Sequence, residues 1–232
     1  MSDDLDLKQL GDIGDPFADE VAAPARPMST ATLPEGVRRS PTRTRMHALR
    51  WFALVAAVSF DALWVVVHET RPDLGSAPAS EIVLGLAIPL AAAALALAAA
   101  VRTGPQSLGL SARTVAILVA GAPAVFAVAT LVAAPAASDP LFWAHAARCM
   151  KATLGFTLLP LGLGLWAFRR AFAATATWRT AGIGLASGAL AAAVMSVACP
   201  LTYASHVLLG HGLVMLVAAL AGALIAPAVA RS

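Results

Sequence analysis

Apolar residues occur in six long runs that are separated by stretches containing Gly, Pro or charged residues. Each run approaches the ~20 residues that an α-helix needs to cross the hydrocarbon core of a bilayer. A membrane-spanning β-strand needs only about 10 residues and alternates between polar and apolar side chains, whereas these runs are continuously apolar. We therefore predict six transmembrane helices, at residues 51–68, 81–101, 114–134, 152–168, 181–199 and 207–229.

The composition of the chain also indicates a membrane protein. Of its 232 residues, 59% are hydrophobic and only 12% are charged, whereas soluble domains carry about 25% charged residues. Two cysteines are too few for a disulfide-stapled secreted scaffold. The predicted fold class is all-α, a polytopic membrane bundle of six transmembrane helices that occupies residues 46–232.

The first 45 residues differ from the rest of the chain because they contain no long apolar run. Residues 1–35 hold eight acidic and two basic residues, a net charge of −6, and residues 36–50 hold five arginines and no acid. Such a segment cannot bury enough apolar surface to fold alone, and we expect no removable signal peptide in it. We predict a disordered cytoplasmic tail at residues 1–45, with a candidate partner-binding element formed by Asp3, Asp4, Leu5, Asp6, Leu7 and Leu10.

The distribution of basic residues predicts the orientation in the membrane. With the N-terminus inside, eleven arginines flank the helices on the inner side, against three basic residues on the outer side, Arg71, Arg148 and Lys151. Loops rich in Lys and Arg remain in the cytoplasm. We therefore expect a multi-pass protein of the bacterial inner membrane, in contact with its lipids, with both termini cytoplasmic.

This topology places several metal-binding and redox-active side chains at the outer membrane edge. Cys149 precedes the fourth predicted helix and Cys199 ends the fifth, with His206 at the same edge and His211 about one turn deeper. His145 lies four residues before Cys149 and would share its helix face. The candidate signal-sensing residues are Cys149 and Cys199, and the candidate metal ligands are Cys149, Cys199, His145 and His206.

Three interpretations of these residues remain open at the level of sequence. Thiolate and imidazole groups suit zinc, copper(I) and similar metals, so a divalent or soft metal ion is a candidate signal, although no cofactor is required. Two thiols in an oxidising periplasm could instead form a disulfide. Free cysteine is also often only a small buried hydrophobic residue.

Other functional classes have less support in the sequence. Asp61 is the one acid well inside a predicted span, and a membrane-buried carboxylate is a functional candidate. It makes a small metal or solute transporter the alternative function. The P-loop, GxSxG and HExxH signatures of common enzymes are missing, as is the CxxC of a thiol oxidoreductase. We therefore expect a protein that is not an enzyme.

The order of short motifs resembles a known family. Arg71-Pro72-Asp73-Leu74 follows the first span, a single cysteine precedes the fourth, and Cys199-Pro200 is followed by His206 and His211-Gly212. Together with six spans, these motifs resemble the bacterial six-helix membrane anti-sigma factors of the NrsF type. The resemblance covers approximately residues 46–230.

The resemblance implies a regulatory function. Such proteins hold an extracytoplasmic-function sigma factor at the inner membrane and release it under stress, and heavy metals or oxidants act on the cysteine pair, which corresponds here to Cys149 and Cys199. The sigma factor, and not nucleic acid, is then the partner. An acidic tail could compete with promoter phosphates for a basic DNA-binding surface.

Overall fold

The structure is a computed structural model, and it describes residues 41–67, 70–101, 111–136, 140–168 and 176–231. Contacts divide the chain into two units, Met1–Thr44 and Arg45–Ser232. Of the first unit, only the backbone of residues 41–44 is described, as the beginning of a helix. The predicted partner-binding residues, Asp3, Asp4, Leu5, Asp6, Leu7 and Leu10, lie outside the described residues.

The described residues form six long helices and no strand, as the apolar runs predict. Four helices are continuous: α1 (Pro41–Val67), α3 (Ala112–Ala133), α4 (Phe142–Phe168) and α5 (Ala176–Ala198). Helix α2 consists of Ala79–Ile82, a π-helical turn at Val83–Ala87, and Ile88–Val101, and α6 consists of Ala204–His206, a π-helical turn at Val207–Gly212, and Leu213–Arg231. All six are long and apolar enough to cross a membrane, so the chain is a multi-pass membrane protein.

Helix α4 begins ten residues before the start that the apolar run predicts. The prediction started at residue 152 because His145, Arg148 and Lys151 interrupt the hydrophobic pattern. Arg148 and Lys151 are exposed on α4, and an exposed charged side chain lowers hydropathy without breaking helical hydrogen bonds. As a consequence, Cys149 lies inside α4 rather than before it.

Helix α5 is the centre of the bundle. Of its apolar window, 72% is buried, against 17–44% for the other five spans, and it packs against α2, α4 and α6. Its small residues permit this close approach, since a Cβ at Gly184 would collide with the backbone of Ala218 on α6. The large apolar side chains of α1, such as Phe52, Leu63 and Val66, are exposed, as expected for a surface that contacts lipid.

The connection between α1 and α2 is fastened to one end of α5. The Arg71 side chain is buried and forms ion pairs with Asp73 (Nε–Oδ1, 3.1 Å) and Glu81 (Nη2–Oε2, 2.8 Å). Its backbone N–H donates to the carbonyl of Val197 at 3.0 Å. Val197 lies near the end of α5, two residues before Cys199. The Arg-Pro-Asp-Leu segment therefore adjoins the end of the bundle that carries the thiols.

Candidate functional site

The two cysteines lie side by side, although fifty residues separate them in sequence. Cys149 is half-buried in α4, and Cys199 is buried directly after the last residue of α5. Their Sγ atoms are 3.6 Å apart. Both thiols are free, so the structure presents a reduced pair that spans the contact between two helices.

A π-helical turn brings two histidines to the same pair of thiols. In a regular α-helix, side chains five residues apart point in directions that differ by about 140°. The turn at Val207–Gly212 closes with i to i+5 hydrogen bonds, for example from the N–H of Leu213 to the carbonyl of Leu208, and so places residues five apart nearly in line. His206 and His211 consequently face each other, with ring centroids 5.6 Å apart and ring planes at 81°.

The four side chains form one buried cluster. Ligand-type atoms of Cys149, Cys199, His206 and His211 all lie within 4.8 Å of one another. Nε2 of His206 is 3.4 Å from Sγ of Cys199. His206 and His211 are only 0% and 1% exposed. We name these four residues the thiol–imidazole cluster.

The membership of the cluster differs from the candidate set taken from the sequence. The structure brings together Cys149, Cys199 and His206 from that set, and it adds His211. His145 lies one turn before Cys149 on α4, but it is not a member of the cluster. The sequence analysis placed His211 about one turn from the same edge but did not include it among the ligands, because a spacing of five residues places two side chains on one face only when the helix contains a π-helical turn.

Two residues hold α4 against the π-helical turn of α6. The Thr153 hydroxyl lies 2.7 Å from the carbonyl of Cys149 and 3.0 Å from that of Gly210. A Cβ at Gly210 would lie 3.2 Å from Cβ of Cys149 and 3.5 Å from Nε2 of His206. A side chain at this position would therefore require Cys149 or the π-helical turn to shift by a few tenths of an ångström.

The histidine rings have a defined hydrogen-bonding pattern. Ser196 Oγ donates to the carbonyl of Ala192 at 2.9 Å, so it can accept from Nδ1 of His211, which is 3.5 Å away. Within the described part of the chain, Nε2 of His211 and Nδ1 of His206 have no hydrogen-bond partner. When Nδ1 of His211 carries the proton, its Nε2 has a free lone pair.

The environment of Cys199, just beyond the α5 span, favours its thiolate form. The hydrogen bond with the Cys149 thiol lowers the pKa of Cys199, burial acts in the opposite direction, and the neighbouring imidazoles of His206 and His211 lower the pKa further. Thiolate is the form that attacks oxidants and binds metals.

A cavity lies between the thiol–imidazole cluster and the α1–α2 connection that contains Arg71. Its lining includes Arg71 and Glu81 at one side and Ser196, Cys199 and His211 at the other. The cavity therefore adjoins both the Cys199 thiol and the His211 imidazole.

Asp61 is a separate feature of α1. Its side chain is 1% exposed, and neither carboxylate oxygen has a hydrogen-bond partner among the described residues. It does not belong to the thiol–imidazole cluster. A neutral buried carboxyl fits this position better than an ion does, because an unpaired charge in hydrocarbon is costly.

The fold and the cluster define the class of protein: a multi-pass membrane bundle that holds two thiols and two imidazoles at one end. The chain belongs to the NrsF family, described as negative regulator of sigma F, whose family model matches residues 33–231. This finding confirms the resemblance carried by the motifs. No curated protein and no solved structure was found to match the chain.

Membership in this family indicates the general role. A negative regulator of a sigma factor is an anti-sigma factor, so a sigma factor is the partner and regulation, rather than catalysis, is the expected role.

Proposed function

We propose that the protein holds an extracytoplasmic-function sigma factor at the bacterial inner membrane and releases it when a heavy metal or an oxidant reacts with Cys149 and Cys199. The observation that supports this proposal is the 3.6 Å separation of two free thiols from different helices. A pair at this distance can be joined by a shared metal ion or by a disulfide. Either reaction links α4 to the end of α5.

The linkage would act on the element that organises the bundle. Helix α5 packs against α2, α3, α4 and α6, so a shift at its Cys199 end changes the fit of these neighbours. To reverse an equilibrium between two packings from 1:99 to 99:1, a signal must favour one of them by about 5.5 kcal/mol. Thiolate coordination of zinc contributes about 10–16 kcal/mol in small structural sites, so a metal reverses the equilibrium when about a third to a half of its binding free energy is specific to one packing.

The proposed orientation places the thiol–imidazole cluster on the periplasmic side. It rests on the eleven basic residues that flank the helices on the proposed inner side, against three on the other. In this orientation, metals and oxidants from the environment contact the cluster before they enter the cytoplasm. Both termini, including the acidic tail, then face the compartment that contains the sigma factor.

The proposed contact with the sigma factor is electrostatic. Residues 1–35 carry a net charge of −6, and the DNA-binding surface of a sigma factor must be basic to bind promoter phosphates. An acidic segment complementary to that surface would exclude DNA from it. Release under stress then requires that movement of the bundle weakens this contact.

The cysteine pair is tested by serine substitutions. Cys149→Ser and Cys199→Ser keep the size of the side chain and remove the soft sulfur, so we expect each to abolish induction of sigma-dependent transcription by cadmium, zinc and peroxide. The double variant should be no worse than either single variant, since the two residues act as one unit. The matched control is Ala147→Ser, which adds a hydroxyl to the same part of α4 and should respond normally. Normal induction in both single cysteine variants would reduce the pair to ordinary buried small residues.

A further inference from the structure

The thiol–imidazole cluster contains more than a pair of reactive thiols. We propose that Cys149, Cys199, His206 and His211 form a preorganised tetrahedral site for a divalent cation of the Zn²⁺ and Cd²⁺ class. The inference rests on the proposed function, because it identifies the ligand chemistry of the same sensor. It adds two histidine ligands and assigns the metal signal to a four-coordinate site rather than to two sulfurs.

The distances fit a tetrahedral ion. For Zn–S bonds of about 2.3 Å and Zn–N bonds of about 2.0–2.1 Å, a tetrahedron has S···S edges of about 3.8 Å and S···N edges of about 3.5 Å. The structure has 3.6 Å between the two Sγ atoms and 3.4 Å between Sγ of Cys199 and Nε2 of His206. These two edges therefore already have nearly the lengths that coordination requires, and the other donor pairs lie within 4.8 Å of one another.

The charge of the site selects a divalent ion. In the complex two thiolates and two neutral imidazoles hold M²⁺, so the bound site is neutral, and any protons displaced from the ligands pass to solvent. A neutral complex can remain at a buried position, whereas Cu⁺ with two thiolates would leave one uncompensated negative charge. Arg71 does not supply the missing charge, because it is already paired with Asp73 and Glu81.

The surroundings of His211 favour its orientation as a ligand. Ser196 Oγ donates to the carbonyl of Ala192, so it can accept from Nδ1 of His211 at 3.5 Å, a contact that favours the tautomer with its lone pair on Nε2. That atom is buried and has no hydrogen-bond partner among the described residues. A buried polar nitrogen without a partner costs free energy, and coordination of a metal ion would remove this cost.

The π-helical turn of α6 positions both histidines for the proposed site. It adds one residue to the helical turn between the two histidines and places them on one face while the rest of α6 keeps its packing against α5. Turns of this type cost hydrogen-bond quality and occur frequently at functional sites. A cavity lined by Cys199 and His211 adjoins the proposed site.

The site is tested by metal binding to the purified full-length protein in detergent. Co²⁺ and Cd²⁺ serve as spectroscopic probes, and Zn²⁺ is measured by competition with a chelator. We expect one ion per chain, tetrahedral Co²⁺ bands and a cadmium–thiolate absorption. His206→Ala and His211→Ala should each weaken Zn²⁺ binding at least about 100-fold, the upper end of the effect of losing a partner that only supports a ligand.

The control for these variants is His145→Ala, which removes an imidazole from α4 outside the cluster and should leave Zn²⁺ affinity unchanged. A thiol oxidant such as diamide tests whether each variant is folded: it takes two electrons and two protons from Cys149 and Cys199 and leaves a disulfide. Both histidine variants should still form this bond. Unchanged Zn²⁺ affinity in His206→Ala and His211→Ala would overturn the four-ligand site.

The two proposals fail in different ways. If the histidine variants bind Zn²⁺ normally while the cysteine variants lose induction, the four-ligand site is wrong and the thiol sensor stands. If the cysteine variants induce normally although the wild-type protein binds metal through all four residues, the site is real and the sensor function is wrong.

Discussion

At the scale of single residues, the approach of α4 to the π-helical turn depends on Gly210. The nearest neighbours of a Cβ at this position would be Cβ of Cys149 and Nε2 of His206, at 3.2 and 3.5 Å. Thr153 reinforces the contact through its hydroxyl, which lies within hydrogen-bonding distance of the Cys149 and Gly210 carbonyls. The geometry of the thiol–imidazole cluster is thus controlled by residues that are not themselves ligands.

Gly210→Ala should separate Cys149 from the π-helical turn. We expect the added methyl group to lower the free energy of unfolding by about 1–3 kcal/mol, as overpacking does, and to reduce both Zn²⁺ affinity and formation of the Cys149–Cys199 disulfide. Thermal unfolding in detergent and quantification of free thiols after oxidation measure these effects. Gly155→Ala is the matched control on α4, because a Cβ at Gly155 meets nothing within 4 Å. Equal disulfide formation in both variants would contradict the role of Gly210.

At the scale of elements, the two π-helical turns distinguish α2 and α6 from the other spans. Hydropathy does not reveal such turns, since one residue more or less per turn leaves an apolar run apolar. The start of α4 shows the same limit, because Arg148 and Lys151 ended the predicted run although the helix continues through them. The number and approximate position of the spans, in contrast, followed directly from the apolar runs.

The orientation of the elements is open to a direct test. Reporter fusions at Ser76 and Thr202 should be located outside the cytoplasm, and fusions after Ser107 and Thr175 inside, because basic residues concentrate on the proposed inner side. Paired reporters, one active only in the periplasm and one only in the cytoplasm, give a positive signal on each side. A cytoplasmic signal at Thr202 would place Cys199 on the wrong side for a periplasmic sensor.

At the scale of the whole molecule, the proposed mechanism divides sensing and binding between two parts of the chain. The cluster lies in the helical bundle, and the acidic charge lies in residues 1–35. The proposal therefore requires that one part can be removed without unfolding the other.

Deletion of residues 1–35 should release the sigma factor and leave the bundle in the membrane. We expect constitutive sigma-dependent transcription and unchanged Zn²⁺ binding by the truncated protein. Binding of the sigma factor by the intact protein should weaken with added salt, since exposed charges are screened beyond about 8 Å at physiological ionic strength. Two full-length variants separate the contributions: one replaces the acidic residues with their amides, and the other replaces Leu5, Leu7 and Leu10 with Ala. If the truncated protein still captures the sigma factor, the contact lies instead in residues 102–113 or 169–180.

The sequence by itself determined the six spans, the acidic tail and the family resemblance, because hydropathy and charge are properties of consecutive residues. It also placed Cys149 and Cys199 at one membrane edge, since topology follows from counting spans and arginines.

Only the tertiary structure decided which side chains meet within that edge. The 3.6 Å between the thiols depends on the register of α4 against α5. The presence of His211 in the cluster depends on the π-helical turn of α6, which residue spacing does not reveal. The position of His145 outside the cluster depends on how α4 packs against its neighbours. Contacts between helices are set by how whole faces pack, so they emerge only when all the neighbours of α5 are in place.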